Sequence, residues 1–420
     1  MTGRTPVLYN VRTSPKTSPT SHAMSLGETM RLTLVSQDYP PSFGGVQSWC
    51  LGILQGLIAL GHRVTVLAPE QPGSSQIDRR APWRVLRVPC LTTNRFPLAI
   101  TPVFLRLLWE ERPDAVVHAQ WPGASTVVRL PRRPPVFVVT HGRELLWTPP
   151  EPLARAYRWL RASTLQRADA VISVSRFTRE LALNLKVLPH RVHVLPNGTD
   201  PEKFSPGEPS SRLREYLNAE GRPVVLTVAR LVERKGIDVT LRSIRILRTT
   251  HTDLLYIVAG DGPDRGRLEG LVARLGLEKN VRFLGTVSEE TLLDLYRLAN
   301  VFVMMSRSEG FDVEGFGVAL LEANACGKAV IGAREGGIPD AIEDEVTGLL
   351  VPPRDEHALA AALGRLLNDP KLRERLGHAG RAKVVEARSW HHTAAGLVRI
   401  LEDRLGSYRV LRPRSGPWPC

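Results

Sequence analysis

Short apolar runs alternate with amphipathic segments from Arg31 onward, and this alternation predicts a series of β-strands and α-helices. The apolar run RLTLVS is followed by residues 44–61, in which apolar residues recur at helical spacing up to a glycine, and then by the run HRVTVLAP. A glycine after the last periodic residue is a common helix stop. A strand–helix–strand unit of this kind predicts a parallel sheet.

The pattern stops at residues 199–223, which are polar and contain several Pro and Gly, and then restarts. We interpret this segment as a linker or domain boundary. Further strands are predicted at 114–120, 136–142, 169–175 and 192–198 before it and at 223–231, 254–262, 280–287, 300–306 and 328–333 after it, with helices at 236–250, 266–276 and 288–299. Two successive α/β halves predict a cleft, and ligands of such sheets bind beyond the carboxyl ends of the strands.

The composition agrees with two globular domains. A length of 420 residues exceeds one ordinary core, and 43% hydrophobic with 23% charged residues is typical of a globular protein. The formal net charge of +14 indicates either an anionic partner (nucleic acid, anionic lipid or a phosphorylated ligand) or an arginine-rich solvated surface. Composition alone does not choose between these alternatives.

The cysteines and the chain ends favour a cytoplasmic protein. The cysteines are far apart and form no CxxC pair, which predicts neither a metal site nor a disulfide framework and fits a reducing compartment. No apolar run approaches the ~20 residues of a membrane span, and the N-terminus lacks the apolar segment of a secretory signal. Residues 1–29 are predicted to be a disordered tail rich in Ser, Thr and Pro, and Met24 and Met30 are alternative starts to Met1.

The most specific segment is GFDVEGFGVALLEANACGKAVIGA, residues 310–333. A helix is predicted to begin near Gly317, and its free N–H groups, partial positive charge and neighbouring glycines predict a phosphate seat at residues 315–318. Glu314 precedes this seat, and Glu322 lies roughly 7–8 Å further along the helix axis at ~1.5 Å per residue. The two carboxylates are placed to accept hydrogen bonds from sugar and ribose hydroxyls. The alternative is a capping acid with a buried ion pair.

Other candidate residues follow predicted strands. Arg230 and Lys235, in ARLVERKG, come at the end of the strand at 223–231, where two cations can neutralise a diphosphate or form a solvated basic turn. His141, in THGRELLW, follows the strand at 136–142 and is a candidate ligand, although a lone histidine is usually structural. A second glycine loop, PPSFGGVQ, opens the helix at 44–61.

A third glycine-rich segment, VAGDGPDRG, does not fit a dinucleotide fingerprint. Gly260, Gly262 and Gly266 give the spacing GxGxxxG, and no acidic residue ends the following strand. We predict a glycine-rich turn without a dinucleotide role. The sequence has neither a Walker lysine motif nor a kinase signature.

These segments, in this order, resemble the retaining glycosyltransferases of family four, which have the GT-B fold. The resemblance runs from about residue 31 to about residue 405 and rests on PPSFGGVQ, VTHGRE, VLPNGTDPEKF, ARLVERKG, VAGDGP and the Glu-x7-Glu pair. Residues 307–342 are most similar to the branch that includes actinobacterial GDP-mannose-dependent mannosyltransferases acting on phosphatidylinositol mannosides.

The resemblance implies a role for each matching residue. Arg230 and Lys235 would hold the donor pyrophosphate, Glu314 would contact the donor hexose, and Glu322 would hold the ribose. His141 would bind the donor sugar near its reacting face. The predicted catalytic residues are His141, Arg230, Lys235 and Glu314; the predicted donor-binding residues are Gly44, Gly45, Arg230, Lys235, Glu314, Gly315, Phe316, Gly317, Val318 and Glu322. The family needs neither a metal nor a cofactor.

The resemblance also implies a division of the chain. The fold class is α/β, with two Rossmann-like parallel-sheet domains facing across a cleft. The tail at 1–29 is followed by an acceptor domain at 30–205, a nucleotide-sugar donor domain at 206–387, a helix crossing back at 388–405 and a tail at 406–420.

We therefore expect a retaining hexosyltransferase that moves mannose from GDP-mannose to a lipid-linked or glycan acceptor. The alternatives are a transferase of surface polysaccharide synthesis that uses UDP-glucose or UDP-N-acetylglucosamine, and a nucleic-acid-binding protein, for which the chain has a positive charge but no recognised motif. A catalytically dead sugar-nucleotide sensor is disfavoured because the four predicted charged donor-site residues are present.

A membrane surface is a further expected partner. Residues 153–169 predict a helix on which Arg155, Arg158 and Arg161 recur at three-residue steps and share one side. Such a basic face would dock the protein on anionic lipid at the inner face of the plasma membrane. The alternative is an ordinary helix with a solvated basic face.

Overall fold

A computed structural model describes residues 28–41, 44–90 and 96–411. The predicted tails at 1–29 and 406–420 therefore lie largely outside the described residues. The strands are β1 Arg31–Val35, β2 Arg63–Pro69, β3 Arg84–Val88, β4 Ala115–His118, β5 Val136–Thr140, β6 Ala170–Ser173, β7 Val192–Val194, β8 Val224–Val228, β9 Leu255–Ala259, β10 Val281–Gly285, β11 Val301–Met304, β12 Ala329–Ala333 and β13 Leu349–Val351.

Helices connect these strands. They are α1 Gly45–Ala59, α2 Ser74–Asp78, α3 Phe96–Glu111, α4 Trp121–Val127, α5 Arg143–Leu146, α6 Leu153–Arg167, α7 Arg176–Asn184, α8 Ser211–Leu217, α9 Ile237–Leu247, α10 Arg265–Leu275, α11 Glu289–Leu298, α12 Val318–Ala325, α13 Ile338–Ala341, α14 Glu356–Asn368, α15 Pro370–Ala387 and α16 Trp390–Leu411.

The chain divides into two compact units, each with its own parallel sheet. The first unit comprises residues 1–173, 179–195 and 390–420, and the second comprises 174–178 and 196–389. The strand order is β3-β2-β1-β4-β5-β6-β7 in the first sheet and β10-β9-β8-β11-β12-β13 in the second. In each sheet the chain begins at a central strand, builds outward to one edge and then returns to the centre to build the other half. The switch lies between β1 and β4 in the first sheet and between β8 and β11 in the second. This is the doubly wound Rossmann pattern.

The central strands are apolar along their whole length because helices cover both faces of a doubly wound sheet. Every residue of β5, β9 and β12 is buried. Edge strand β3 is mostly half-buried and reads RVLRV, so its mixed pattern gave no strand prediction. The sequence interpretation also missed β13, which has only three residues.

The last helix, α16, belongs to the first unit and packs against α1 through two glycines. A Cβ on Gly52 would lie 2.1 Å from the ring of Trp390, and a Cβ on Gly56 would lie 2.5 Å from the Cβ of Ala394. A side chain at either glycine would therefore push the helices apart. The helix starts close to the predicted residue 388 and continues past the predicted end at residue 405.

Candidate active site

The second unit places two loops side by side at the carboxyl ends of β8 and β11, where its strand order reverses. The first loop continues into a short 3₁₀ helix, Glu233–Lys235, and the second runs from Met305 to Gly317. Neighbouring strands on either side of a reversal leave a crevice between their loops, and ligands of open α/β sheets bind there. The two loops carry Arg230, Lys235 and Glu314, three of the four predicted catalytic residues.

A glycine allows the two loops to touch. Gly236 has a φ of +64°, and a Cβ at this position would lie 1.9 Å from the carbonyl oxygen of Met305. Only glycine tolerates both the left-handed conformation and this close backbone approach. The backbone N–H of Arg307 also donates to the carbonyl of Arg234 across 2.7 Å. The turn that ends in Lys235 is thereby held against the loop that leads to Glu314.

Glu314 is at the centre of a charged cluster. Its Oε2 accepts hydrogen bonds from Lys235 Nζ, from Arg234 Nη1 at 2.9 Å and from Ser306 Oγ at 3.2 Å. Its Oε1 has no hydrogen-bond partner in the described part of the chain. One carboxylate oxygen is thus fully occupied by the protein, while the other is left to accept a hydrogen bond from a ligand.

The cluster keeps Glu314 charged. Burial raises the pKa of the Glu314 carboxyl, but Lys235 and Arg234 outweigh this effect and bring the pKa down to about 2. Burial lowers the pKa of Lys235, and the charge of Glu314 opposes that shift. The buried ion pair that was the alternative interpretation of Glu314 is therefore present, and it involves the very lysine that was predicted to bind phosphate.

Two adjacent glycines, Gly336 and Gly337, pack against the backbone of Glu314 and Gly315. Gly336 has a φ of +59°, and a Cβ there would lie 2.6 Å from the carbonyl oxygen of Glu314, while a Cβ on Gly337 would lie 1.9 Å from that of Gly315. The N–H of Gly337 donates to the Glu314 carbonyl at 2.9 Å. The sequence interpretation assigned no role to this pair or to Arg234. The adjacent glycines after β12 were the available signal.

Helix α12 begins where the sequence predicts, directly after Gly317, which has a φ of +95°. Gly315 and Phe316 are buried beside it, and Val318 is its first residue. Glu322, one turn further on, accepts a hydrogen bond of 2.6 Å from the hydroxyl of Tyr296. Burial raises the pKa of Glu322, and the Tyr296 hydrogen bond opposes this shift.

Arg230 lies on the first of the two loops and is exposed. Its side chain forms no hydrogen bond or ion pair with the residues described, so it is available to a ligand. The loop rests on the third glycine-rich segment: a Cβ on Gly260 would lie 1.9 Å from the carbonyl oxygen of Ala229, and a Cβ on Gly262 would lie 2.2 Å from that of Leu231. This close packing gives the two glycines a structural role.

His141 follows β5 in the first unit and is half-buried. Its Nε2 lies 3.0 Å from the carbonyl oxygen of Ala119. A carbonyl oxygen only accepts, so Nε2 carries the proton and Nδ1 is the acceptor nitrogen. Burial lowers the pKa of His141 to about 4, against the effect of the Ala119 hydrogen bond. The rings of His141 and Trp49 are close to perpendicular, with their centroids 5.7 Å apart.

Gly44 and Gly45 lie at the start of α1 and are exposed. Ser42 and Phe43, in the same predicted loop, are outside the described residues. The structure places both glycines at the start of the helix that follows β1.

The predicted basic face of α6 is not formed by all three arginines. Arg155 and Arg158 are exposed, but Arg161 is only 4% exposed and donates to the carbonyl of Trp147 at 2.8 Å. Three-residue steps on a helix drift by about 60° per step from exact repetition, which carries Arg161 round to the buried side. The prediction that Arg161 belongs to the docking face is wrong.

The two doubly wound units are those of the GT-B fold. Solved structures share the fold: sucrose-phosphate synthase from Thermosynechococcus elongatus has a TM-score of 0.76 and 24% identity, covering 90% of this chain and 100% of that one. Anabaena Alr3699/HepE in complex with UDP-glucose has a TM-score of 0.74 and 20% identity, covering 89% of this chain and 100% of that one. The predicted α/β class, GT-B with two Rossmann-like parallel-sheet domains, is confirmed.

Sequence comparison gives the family. Residues 43–203 match the model of Glycosyltransferase Family 4, and residues 211–383 match that of Glycosyl transferases group 1. The chain is 34% identical over 393 residues to the GDP-mannose-dependent alpha-(1-6)-phosphatidylinositol monomannoside mannosyltransferase of Mycolicibacterium smegmatis, covering 89% of this chain and 98% of that protein. The D-inositol 3-phosphate glycosyltransferase of Acidothermus cellulolyticus is 36% identical over 235 residues, 53% of this chain and 50% of that protein. The chain belongs to glycosyltransferase family 4 and is an enzyme of that family.

Among the described residues, no helix is both long and apolar enough to span a bilayer.

Proposed function

We propose that this enzyme is a retaining hexosyltransferase that moves mannose from GDP-mannose to a lipid-linked or glycan acceptor. The support is the similarity to the mannosyltransferase of Mycolicibacterium smegmatis, whose name states that donor and a phosphatidylinositol mannoside acceptor. The similarity extends over nearly the full length of that protein, so it includes the unit assigned to the acceptor as well as the unit assigned to the donor.

The observation that carries the proposal is the arrangement around Glu314. Its open Oε1 is an acceptor for a hexose hydroxyl, and Lys235 lies at hydrogen-bonding distance from its Oε2. A sugar nucleotide presents hydroxyls and a diphosphate next to each other, which is the combination that an adjacent carboxylate and ammonium suit.

We assign the remaining donor contacts to the residues that the family resemblance indicates. Arg230 and Lys235 take the diphosphate, together with the backbone of residues 315–318 at the start of α12. Glu322 takes the ribose, and the Tyr296 hydroxyl orients it. His141, Gly44 and Gly45 contribute from the first unit.

The proposed reaction needs stabilisation of the leaving group more than a strong base. The bond between the anomeric carbon and the phosphate oxygen breaks, and negative charge builds on the leaving diphosphate. Fixed cations and helix N–H groups directed at that oxygen stabilise the transition state. The acceptor oxygen forms the new bond on the same face of the sugar, and its proton passes to the leaving phosphate oxygen. This route requires no protein nucleophile and no metal ion.

A second donor class has a specific observation in its favour. A solved structural neighbour is a complex with UDP-glucose, and the donor contacts assigned above are to the hexose, the ribose and the diphosphate and to no base. A UDP-glucose or UDP-N-acetylglucosamine transferase is therefore the alternative.

For the acceptor, we propose reversible docking of the first unit on anionic lipid. Arg155 and Arg158 are exposed on α6, as are Leu153 and Trp159, each at 65%. Exposed cations beside exposed apolar and aromatic side chains are typical of a surface that meets lipid head groups. Each cation near such a surface contributes ~1 kcal/mol, falling with salt.

One experiment tests the donor and acceptor together. The protein is incubated with labelled GDP-mannose, UDP-glucose and UDP-N-acetylglucosamine, each with total membrane lipids, and the lipid products are separated. We expect label from GDP-mannose in a lipid fraction, with the α-configuration of the donor retained. Label from a UDP-sugar alone would support the second donor class, and inversion at the anomeric carbon would contradict the proposed mechanism.

A further inference from the structure

Two cations bind the same oxygen of Glu314, and they are anchored differently. Arg234 also forms an ion pair with a second carboxylate, since its Nε lies 3.1 Å from Oδ1 of Asp312. The backbone of Arg234 is fixed as well, since its carbonyl accepts the N–H of Arg307. Lys235, in the described part of the chain, has Glu314 as its one side-chain partner.

This difference decides which cation is able to leave Glu314. The Lys235 ammonium is a point charge on a flexible stem, whereas the Arg234 guanidinium is a rigid fork bound to two carboxylates. An incoming diphosphate competes for Lys235 with one carboxylate but would have to displace Arg234 from two. The anion therefore recruits Lys235 and leaves Arg234 in place.

If Lys235 moved away and no second cation were present, Glu314 would be a buried carboxylate without a compensating charge. The Glu314 side chain is only 16% exposed, and a buried carboxylate without a compensating charge takes up a proton. A protonated Glu314 would no longer be the full acceptor that a hexose hydroxyl requires. The remaining neighbours of its carboxylate are Ser306, which is neutral, and Arg234.

We propose that Arg234 is a positioning residue that keeps Glu314 ionised and oriented after the donor diphosphate has drawn Lys235 away. This inference rests on the proposed function, in which Glu314 binds the donor hexose and Lys235 binds the diphosphate. Arg234 itself touches neither the diphosphate nor the sugar. Asp312 supports this role through its ion pair with the same guanidinium.

The role predicts a pH signature that a purely structural residue would not show. Burial raises the pKa of Glu314, and Lys235 and Arg234 together hold it down at about 2. With Arg234 removed and Lys235 engaged by phosphate, Glu314 titrates at a higher pH. When turnover is plotted against pH, its acid limb then moves to higher pH, because protonation of Glu314 removes activity as the pH falls through the pKa of that carboxyl.

The experiment combines a binding and a kinetic measurement on the full chain. GDP and UDP binding is measured by calorimetry, and turnover is measured against pH at saturating donor, for Arg234→Gln, Arg234→Lys and Lys235→Gln. Arg365→Gln is the matched control, because Arg365 also binds a glutamate, Glu345, through two nitrogens but is exposed and remote in sequence from both loops. Thermal unfolding shows that each variant is folded at neutral pH, and circular dichroism at each pH of the profile defines the range in which the variants and the wild type stay folded; the acid limbs are compared only within that range.

For Arg234→Gln we expect nucleotide affinity within about threefold of the wild type, turnover reduced about tenfold or more, and an acid limb displaced upward by about one pH unit or more. Arg234→Lys, which restores the charge, should return the acid limb toward the wild-type position. Lys235→Gln should weaken nucleotide binding. The control should match the wild type in all three measurements.

Two results would overturn the inference. Nucleotide binding lost in Arg234→Gln to the same extent as in Lys235→Gln would make Arg234 a phosphate ligand, and an unmoved acid limb would show that Glu314 does not depend on it. Failure of the proposed function is distinguished by Glu314→Gln. If that variant keeps wild-type turnover, Glu314 has no part in the reaction and the proposed function fails. If Glu314→Gln is inactive but the acid limb of Arg234→Gln does not move, the proposed function stands and only the role of Arg234 is contradicted.

Discussion

The two units have the same doubly wound topology but opposite chemistry near the point where the strand order reverses. In the second unit the loops after β8 and β11 hold Arg234, Lys235 and Glu314 in one charged cluster. In the first unit the corresponding strand β4 ends in His118, which is completely buried, and both of its ring nitrogens lack a hydrogen-bond partner among the described residues. The same topology therefore surrounds a cluster of charged side chains in the second unit and a buried, unpartnered histidine in the first.

The difference makes the two units respond differently to acid. Burial lowers the pKa of His118 to about 3, with a contribution from Arg133, and burial also lowers that of His141. An unfolded chain binds protons at these histidines below pH ~6.5, while the folded unit does not. Their contribution to stability is thus present above that pH and is lost as the pH falls toward 3. The Glu314 contribution is lost only below pH ~4.5, as the pH falls toward 2.

The largest expected effect is therefore acid unfolding of the first unit before the second. The lowering of the His118 pKa from 6.5 to about 3 corresponds to about 5 kcal/mol of unfolding free energy lost at low pH. The second unit contains no tryptophan, so tryptophan fluorescence follows the rest of the chain and far-UV circular dichroism follows both units. On acidification we expect the fluorescence change to come at a higher pH than the completion of the dichroism change.

The variant His118→Leu sharpens this test, because it removes the titrating group from an apolar site. Its loss of unfolding free energy between pH 7 and pH 4 should be smaller than that of the wild type. The matched variant His378→Leu, at an exposed position on α15, should leave the loss unchanged. Coincident fluorescence and dichroism transitions in the wild type would show that the two units do not differ in this way.

The second largest effect concerns activity and belongs to the charged unit. We expect Glu314→Gln and Lys235→Ala each to lower turnover 10²–10³-fold, about 3–4 kcal/mol of barrier, because each removes one fixed electrostatic group from the site. Glu343→Gln is the control, since Glu343 pairs with Lys383 on the surface of the same unit. Turnover close to the wild type in either site variant at saturating donor would contradict the assignment of the site.

The sequence predicted the second unit's site better than the first unit's. Glu314, Lys235 and the start of α12 at Gly317 could be predicted because each depends on local features: an acid before a glycine pair, a cation after a strand, and a helix start. Arg234 and Gly337 were missed because their roles depend on contacts between loops. Arg234 binds Glu314, about 80 residues away in the sequence, and Gly337 packs against the carbonyl of Gly315 on a neighbouring loop.

In the first unit the errors have a different cause. His118 ends an apolar strand, and its sequence context does not reveal that its ring lacks hydrogen bonds. Arg161 was placed on an exposed face because arginines are usually exposed, yet its guanidinium satisfies the carbonyl of Trp147. Periodicity predicts which residues share a side of a helix but not which long side chains reach a buried backbone group.

Arg161 and Arg158 allow a smaller effect to be predicted within one helix. Arg161→Glu places an unpaired acid at a buried position and should destabilise the first unit by about 3 kcal/mol. Arg158→Glu changes an exposed residue that pairs with Glu151 at 3.4 Å, and its effect on stability should stay within about 0.5 kcal/mol. Urea unfolding followed by tryptophan fluorescence measures both.

This contrast also determines how lipid docking is tested. Co-sedimentation with anionic vesicles should weaken in Arg155→Glu with Arg158→Glu and in high salt, without loss of folding. The variant Arg161→Glu is unsuitable, because its instability would itself change sedimentation. Equal binding to neutral vesicles, or none to anionic ones, would favour a soluble acceptor.

The smallest expected effect is that of a chelator on the charged unit. Arg230, Lys235 and the N-terminus of α12 supply positive charge where a divalent cation would otherwise neutralise the diphosphate. We therefore expect turnover in excess EDTA to stay within about twofold of that without it. Because Arg230 is exposed and has no side-chain partner among the described residues, Arg230→Gln tests whether the protein's own cations do this work. That variant should lose turnover in the presence and in the absence of EDTA. A complete loss of wild-type turnover in EDTA that Mg²⁺ or Mn²⁺ alone restores would show instead that a metal shares the diphosphate with Lys235.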